Sequence, residues 1–177
     1  MEREHGYDGD NRMKKEFSTA TRKTGTNRIV VRPARPGDAP QVAALSGQLG
    51  YPVSASAMRH RLGIVARRKN HKIFVAERDA TIEGWLEVFR PLSVLNWGKG
   101  EVGALVVDSA SRRGGIGSQL MVAARLWAER QRCSFIYLRS NVIRDDAHRF
   151  YRKSGYAVYK TQSVFRLLLN NTKKRKR

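Results

Sequence analysis

The 177-residue chain reads as an α/β protein built on one mixed sheet. Three observations predict this. Short apolar runs alternate with segments of helical period. Two of the runs, at 72–77 and 82–90, are separated only by a turn at 78–81 and therefore form a hairpin. A third run, at 101–107, leads through a glycine-rich turn into a helix. The length points to a single domain, and an apolar content of 41% suffices for one core.

Residues 1–27 are polar, charged and rich in Gly, Thr and Asn, without a sustained period, and are expected to be a disordered tail. A first strand at 28–32 is stopped by Pro33 and Pro36. Asp38 is the expected N-cap of a helix carrying Val42, Leu45 and Leu49, which Gly50, Tyr51 and Pro52 break. Ser54 is placed to cap a second helix, with Met58, Leu62 and Val65 on one face and Arg59, Arg61, Arg67 and Arg68 on its polar side. After the hairpin, residues 91–100 form an irregular loop containing Trp97. The helix beyond the glycine-rich turn, 116–130, aligns Ile116, Leu120, Ala123, Ala124 and Trp127. A strand at 135–139, a helix at 145–154 and two closing strands at 156–159 and 164–169 complete the order.

No apolar run approaches the roughly 18 residues that span a bilayer, and no apolar core of a signal peptide opens the sequence, so a soluble cytoplasmic protein is expected. The single cysteine, Cys133, excludes an intramolecular disulfide and leaves no metal-ligand cluster; its place between a helix and an apolar run fits a buried structural thiol. The formal charge is +20, with six Lys/Arg against five Asp/Glu in residues 1–27 and five positives in residues 173–177. The middle of the chain remains strongly basic, which favours polyanionic partners such as coenzyme A or nucleic acid.

Arg112-Arg113-Gly114-Gly115-Ile116-Gly117-Ser118 is the most informative stretch. Glycines at the mouth of a helix let backbone N–H groups approach an anion, the helix terminus adds partial positive charge, and an arginine adds a forked donor. No Lys-Ser/Thr pair closes the loop, which excludes a P-loop, and the third glycine of the dinucleotide fingerprint is missing.

The spacing Arg112, two residues, Gly115, one residue, Gly117 resembles the acetyl-CoA loop of the Gcn5-related N-acetyltransferase (GNAT) family. About thirty residues on, Ala147-His148-Arg149-Phe150-Tyr151-Arg152-Lys153-Ser154-Gly155-Tyr156 is similar to that family's later motif, an alanine-led helix with Phe-Tyr that ends at Gly-Phe or Gly-Tyr. The resemblance covers roughly residues 28–169 and leaves a basic tail at 170–177. It implies a mostly antiparallel sheet flanked by about four helices, and acetyl-CoA as acyl donor without a metal. It further implies that Leu105, Val106 and Val107 hold the pantetheine arm and acetyl group, and that the 112–118 loop holds the pyrophosphate. Tyr151 then protonates the departing thiolate.

Glu101 stands where some members carry the base that deprotonates the amine; an ordinary strand-end glutamate is the alternative. His148, three residues from Tyr151 on one helical face, is a weaker base candidate, and His60 and His71 weaker still. Two departures stand out. Ser109 replaces a frequent proline, and Arg144 occupies the place of an asparagine seven residues before the tyrosine, which leaves Asn141 to supply an amide contact or Arg144 to meet a phosphate.

The acceptor is expected to be a primary amine, of a small molecule or of a protein lysine or N-terminus, on a monomer or homodimer. Residues 49–52 and Trp97 are candidates for its wall. Glu83, Trp85, Glu87 and Phe89 alternate onto one strand face, an acidic and aromatic strip suited to a cationic amine or simply a half-exposed sheet face. The rival class is a nucleic-acid-binding module, motivated by charge and the Lys173–Arg177 tail but without zinc spacing, RNA-binding aromatics or a helix-turn-helix.

Overall fold

The hairpin organises the sheet. In the computed structural model, which describes residues 28–95 and 97–169, β2 (His71–Arg78) and β3 (Thr81–Phe89) are joined by Asp79 and Ala80, both at positive φ (47° and 63°). Two left-handed residues match the right-handed twist of the strands they connect. The ladder is interrupted once, between Ala76 and Glu77, where Glu83 is left over as a bulge.

β1 (Val30–Pro33) pairs antiparallel with β2, and β4 (Lys99–Val107) antiparallel with β3. β5 (Phe135–Leu138) joins β4 in parallel, so the sheet runs β1-β2-β3-β4-β5 with one parallel pair at its end. α1 (Ala39–Gln48) and α2 (Ala55–Ala66) cover one face, where Val42, Leu45, Met58 and Leu62 pack with Val75, Trp85 and Val106. α3 (Ile116–Arg130) covers the other, with Ile116, Leu120, Ala124 and Trp127 against Leu86, Val88 and Val102. α4 (Asp145–Lys153) adds Phe150 and Tyr151 to this second cluster. The mostly antiparallel sheet with four helices agrees with the architecture expected from the sequence.

Gly84 permits the α3 packing, because a β-carbon there would lie 2.8 Å from the Val106 carbonyl oxygen and 3.0 Å from Ile116 Cγ2. Ser54 caps α2 as expected, its hydroxyl accepting from Ala57 N at 3.2 Å. Asp38 takes the expected N-cap position of α1, but its side chain makes no capping bond to that helix. A 3₁₀ turn at Pro36–Asp38 precedes that helix, and the Asp38 carboxylate accepts from Arg35 N and from the Arg32 guanidinium at 2.7–2.9 Å. The nearby arginine outcompetes the helix N–H groups because a charged, two-pronged donor binds a carboxylate more strongly.

The closing strands expected at 156–159 and 164–169 are absent: residues 156–169 form no ladder, and Val158, Tyr159, Val164, Phe165 and Leu167 are exposed. Alternating apolar residues express only a local preference, and a strand exists where its N–H and C=O groups meet a partner. Cys133 is half-buried and unpaired, and burial pushes its thiol up. The proposed tails at 1–27 and 170–177 lie outside the described residues.

Candidate active site

β4 is longer than its partner, and that difference makes the site. Its pairing with β5 runs from Lys99 opposite Phe135 to Val102 opposite Leu138 and then stops. From Ala104 to Val107 the strand keeps β3 on one side, while its other edge has no strand partner among the described residues. Gly103 is itself a bulge, skipped between the pairs Glu87–Ala104 and Val88–Val102. Leu105, Val106 and Val107 thus lie on a splayed strand whose main-chain groups face an opening.

The loop after β4 is tied down before it reaches α3. Asp108 N donates to Glu83 O at 2.8 Å, the Asp108 carboxylate accepts from Ala110 N, and the Gln48 side chain bridges Asp108 and Ser109 N. Arg113 (φ 66°) and Gly115 (φ 79°) then turn the chain in left-handed conformations, and Gly115 becomes the N-cap of α3. A glycine cap has no side chain to bond the first N–H groups of the helix, so those of Ile116, Gly117 and Ser118 remain available as donors at its positive end. Gly114 fits tightly, since a β-carbon would lie 3.3 Å from Ser111 O.

Gly117 brings the second motif to the first. A β-carbon on it would come within 3.1 Å of Phe150 Cζ, so the glycine lets α4 lie close against the start of α3, where a side chain would have to push Phe150 back. Tyr151 follows, in edge contact with Phe150 (5.4 Å between centroids) and Tyr156 (6.4 Å). Burial pushes its phenol up, and Arg144 partly offsets that, which also places Arg144 within electrostatic reach of Tyr151. Gly155 (φ 84°) ends α4, with Tyr156 N donating back to Tyr151 O at 3.0 Å and Gly155 N to Arg152 O.

Arg112, Arg144 and Arg149 converge with Asp145 and Asp146 on a polar depression of about 510 Å³ between the loop and the head of α4. Arg149 is paired to Asp146. Asn141 instead turns on its own backbone, its Oδ1 accepting from Ile143 N at 3.2 Å.

Glu101 is buried, at 5% exposure, on the sheet face covered elsewhere by α1 and α2. One oxygen accepts from Tyr137 OH at 2.7 Å and the other from the Arg139 guanidinium. The Tyr137 phenol is pushed up to about 12, by burial first and then by this carboxylate. Phe89 and Tyr137 flank Glu101 in register, and Glu87, two residues before Phe89, pairs with His71. Trp97 is exposed, with the Arg90 guanidinium 5.8 Å over its ring. Reasoning from the sequence did not anticipate Tyr137, Arg139 or the His71–Glu87 pair; the first two are visible only once β4 and β5 are known to be parallel and in register.

Among the described residues no group of His, Cys, Asp and Glu could hold a metal ion, and no helix is long and apolar enough to cross a membrane. Residues 69–158 match the model of the acetyltransferase (GNAT) domain. The chain belongs to that family and is an acyltransferase.

The fold recurs in solved structures. A transcriptional regulator from Bacillus halodurans C-125 is 25% identical, with a TM-score of 0.69 over 79% of this chain and 100% of its own. An aminoglycoside acetyltransferase from an uncultured soil metagenomic sample, in complex with trehalose, is 20% identical, with a TM-score of 0.69 over 81% and 98%. An aminoglycoside N-acetyltransferase in complex with CoA is 15% identical, with a TM-score of 0.70 over 79% and 95%. No curated protein matches the sequence.

Proposed function

We propose that the protein moves an acetyl group from acetyl-CoA directly to a primary amine of a small molecule, with residues 28–169 as the catalytic domain. The observation that carries this reading is the conjunction of the splayed end of β4, the Gly115-capped start of α3 and Tyr151, held together by the Gly117–Phe150 contact. In this reading the N–H groups of Gly114 to Ser118 and the side chains of Arg112 and Arg113 hold the pyrophosphate. Leu105, Val106 and Val107 offer main-chain bonds to the pantetheine arm and acetyl carbonyl. Arg144, which shares the depression with Arg112, meets a phosphate in place of the family's asparagine, and Asn141, whose Oδ1 already accepts from Ile143 N, contributes its amide N–H groups.

Tyr151 serves as general acid. Its raised phenol is neutral at pH 7 and can give its proton to the departing sulfur. The amine must be deprotonated first, and for a group of pKa about 10.4 the neutral form costs roughly 4 to 5 kcal/mol at pH 7. Glu101 is the base expected from the sequence. With both oxygens engaged by Tyr137 and Arg139, it can act only by exchanging one of them for the amine or a water. A small-molecule acceptor is favoured over a basic protein by the chain's own charge of +20. Two structures of the same fold are aminoglycoside acetyltransferases.

A screen of primary amines with acetyl-CoA, read as release of CoA thiol, tests the proposal. Turnover on at least one amine is expected, and no thiol release above hydrolysis across the screen would refute it. The pH–rate profile of Glu101→Gln decides its part: a flattened acid limb keeps Glu101 as base, and an unchanged limb removes it and leaves the proton to another carboxylate.

A further inference from the structure

The sheet carries four glutamates along the paired strands, and three of them face arginine: Glu77 with Arg32, Glu83 with Arg78, Glu101 with Arg139. Glu87 is matched differently. Its Oε1 lies 2.7 Å from Nε2 of His71, and an imidazole balances a carboxylate only when protonated. In a chain with 35 Lys/Arg, Glu87 is thus the strand glutamate whose ion-pair partner is a histidine in place of an arginine.

The other oxygen shows where. A β-carbon built on Gly103 would come within 2.8 Å of Glu87 Oε2 and 2.9 Å of Phe89 Cε1. Gly103 is exposed, is the bulged residue of β4, and is the first residue past the ladder with β5. The missing side chain therefore makes room for a carboxylate oxygen and an aromatic edge beside an exposed residue, two residues from Leu105, at the point where the strands part. Glu101, on the same face, has no oxygen left over in this way.

We propose that Glu87, in place of Glu101, binds the acceptor's ammonium group and takes its proton, with Gly103 as the residue that leaves room for its carboxylate and His71 as the positioning residue, and that the acceptor is a small cationic amine. This rests on the acetyltransferase reading above. The ammonium donates an N–H to Oε2, beside the Phe89 ring. The proton passes to that oxygen, and the freed nitrogen lone pair attacks the thioester carbonyl. The C–N bond forms, the C–S bond breaks with its electron pair on sulfur, and Tyr151 protonates the sulfur. The second proton lost from nitrogen restores Tyr151 through solvent, and Glu87 releases its own to solvent. Ammonium and acetyl-CoA become amide, CoA thiol and one proton. His71 holds Oε1 by N–H donation and rests on Phe89, with centroids 5.2 Å apart, which keeps Oε2 turned toward Gly103.

The test uses the full chain saturated with CoA, with spermidine as the cationic probe titrated by calorimetry, followed by thiol release with acetyl-CoA. Glu87→Gln and Gly103→Ala are expected to weaken spermidine binding by at least about tenfold while CoA affinity stays within about twofold, since one charge-assisted bond is lost and the donor site is untouched. His71→Ala is expected to lose binding and His71→Gln, which can still donate to Oε1, to recover most of it. Spermidine binding that is absent from the CoA-saturated wild type, or unchanged in Glu87→Gln, overturns the proposal. Failure of CoA itself to bind the wild type would overturn the acetyltransferase reading and this inference with it.

Discussion

Replacing Tyr151 by phenylalanine removes one oxygen and nothing else from the site. The ring keeps its edge contacts with Phe150 and Tyr156 at 5.4 and 6.4 Å, so the packing that holds α4 on the second core cluster survives. Because burial raises the phenol and thus favours its neutral form, the hydroxyl is a protonated donor throughout the neutral range. Loss of a positioned general acid costs about 10²- to 10⁴-fold in rate, or roughly 3 to 5 kcal/mol of barrier. We therefore expect Tyr151→Phe to lower kcat by at least about 100-fold, with acetyl-CoA affinity and melting temperature nearly unchanged. The assay is steady-state thiol release with a saturating amine, alongside thermal melting of the same preparations. Full turnover in the variant refutes the acid role. A loss of rate that accompanies a large fall in melting temperature refutes the claim that the hydroxyl acts chemically.

Arg144→Asn restores the family's usual residue and removes a cation that lowers the Tyr151 phenol, so the alkaline limb of the kcat profile should move to higher pH; an unmoved or lowered limb contradicts the placement. Gly84→Ala puts a β-carbon 2.8 Å from the Val106 carbonyl oxygen in the central ladder, and a loss of about 1–3 kcal/mol in urea unfolding is expected, whereas an unchanged midpoint would mean that β3 and β4 can separate there. The Arg32 guanidinium holds the folded-state carboxyl of Asp38 below the ordinary carboxylate value, so its contribution is present above that value and fades as pH falls through the folded one. Asp38→Asn should accordingly cost about 1–3 kcal/mol at pH 7 and progressively less below pH 4 in urea titrations; a cost independent of pH would contradict the ion-pair account.

The parts of the fold that rest on local chemistry are legible in the sequence. Gly115 and Gly117 announce the turn into α3, Ser54 the cap of α2, and residues 78–81 the turn of the hairpin. What depends on register is hidden. Counted back from the Arg78–Thr81 pair, His71 would stand opposite Val88 and face the α3 core. The bulge at Glu83 shifts the pairing by one, so that His71 stands opposite Phe89 and reaches Glu87 on the other face. Glu101 likewise looks like a free strand-end carboxylate until parallel pairing brings Tyr137 and Arg139 to it across 36 and 38 residues. Asp38 stands at the N-cap position that the sequence predicts, yet its carboxylate is taken by Arg32, a competing donor on a different element. The closing strands at 156–169 failed for the complementary reason: alternation predicts the side chains of a strand, and pairing decides whether one forms.

If the 112–118 loop and the splayed end of β4 form an acyl-CoA site, the acyl donor must stabilise the folded chain. Thermal melting of the protein with and without micromolar acetyl-CoA tests it most directly. At about 100 times Kd, specific binding adds about 2.7 kcal/mol, a rise of roughly 5 to 10 °C, and replacing Gly115, which needs φ 79°, by valine should abolish the rise. A melting temperature that is unmoved by acetyl-CoA and by CoA would contradict such a site.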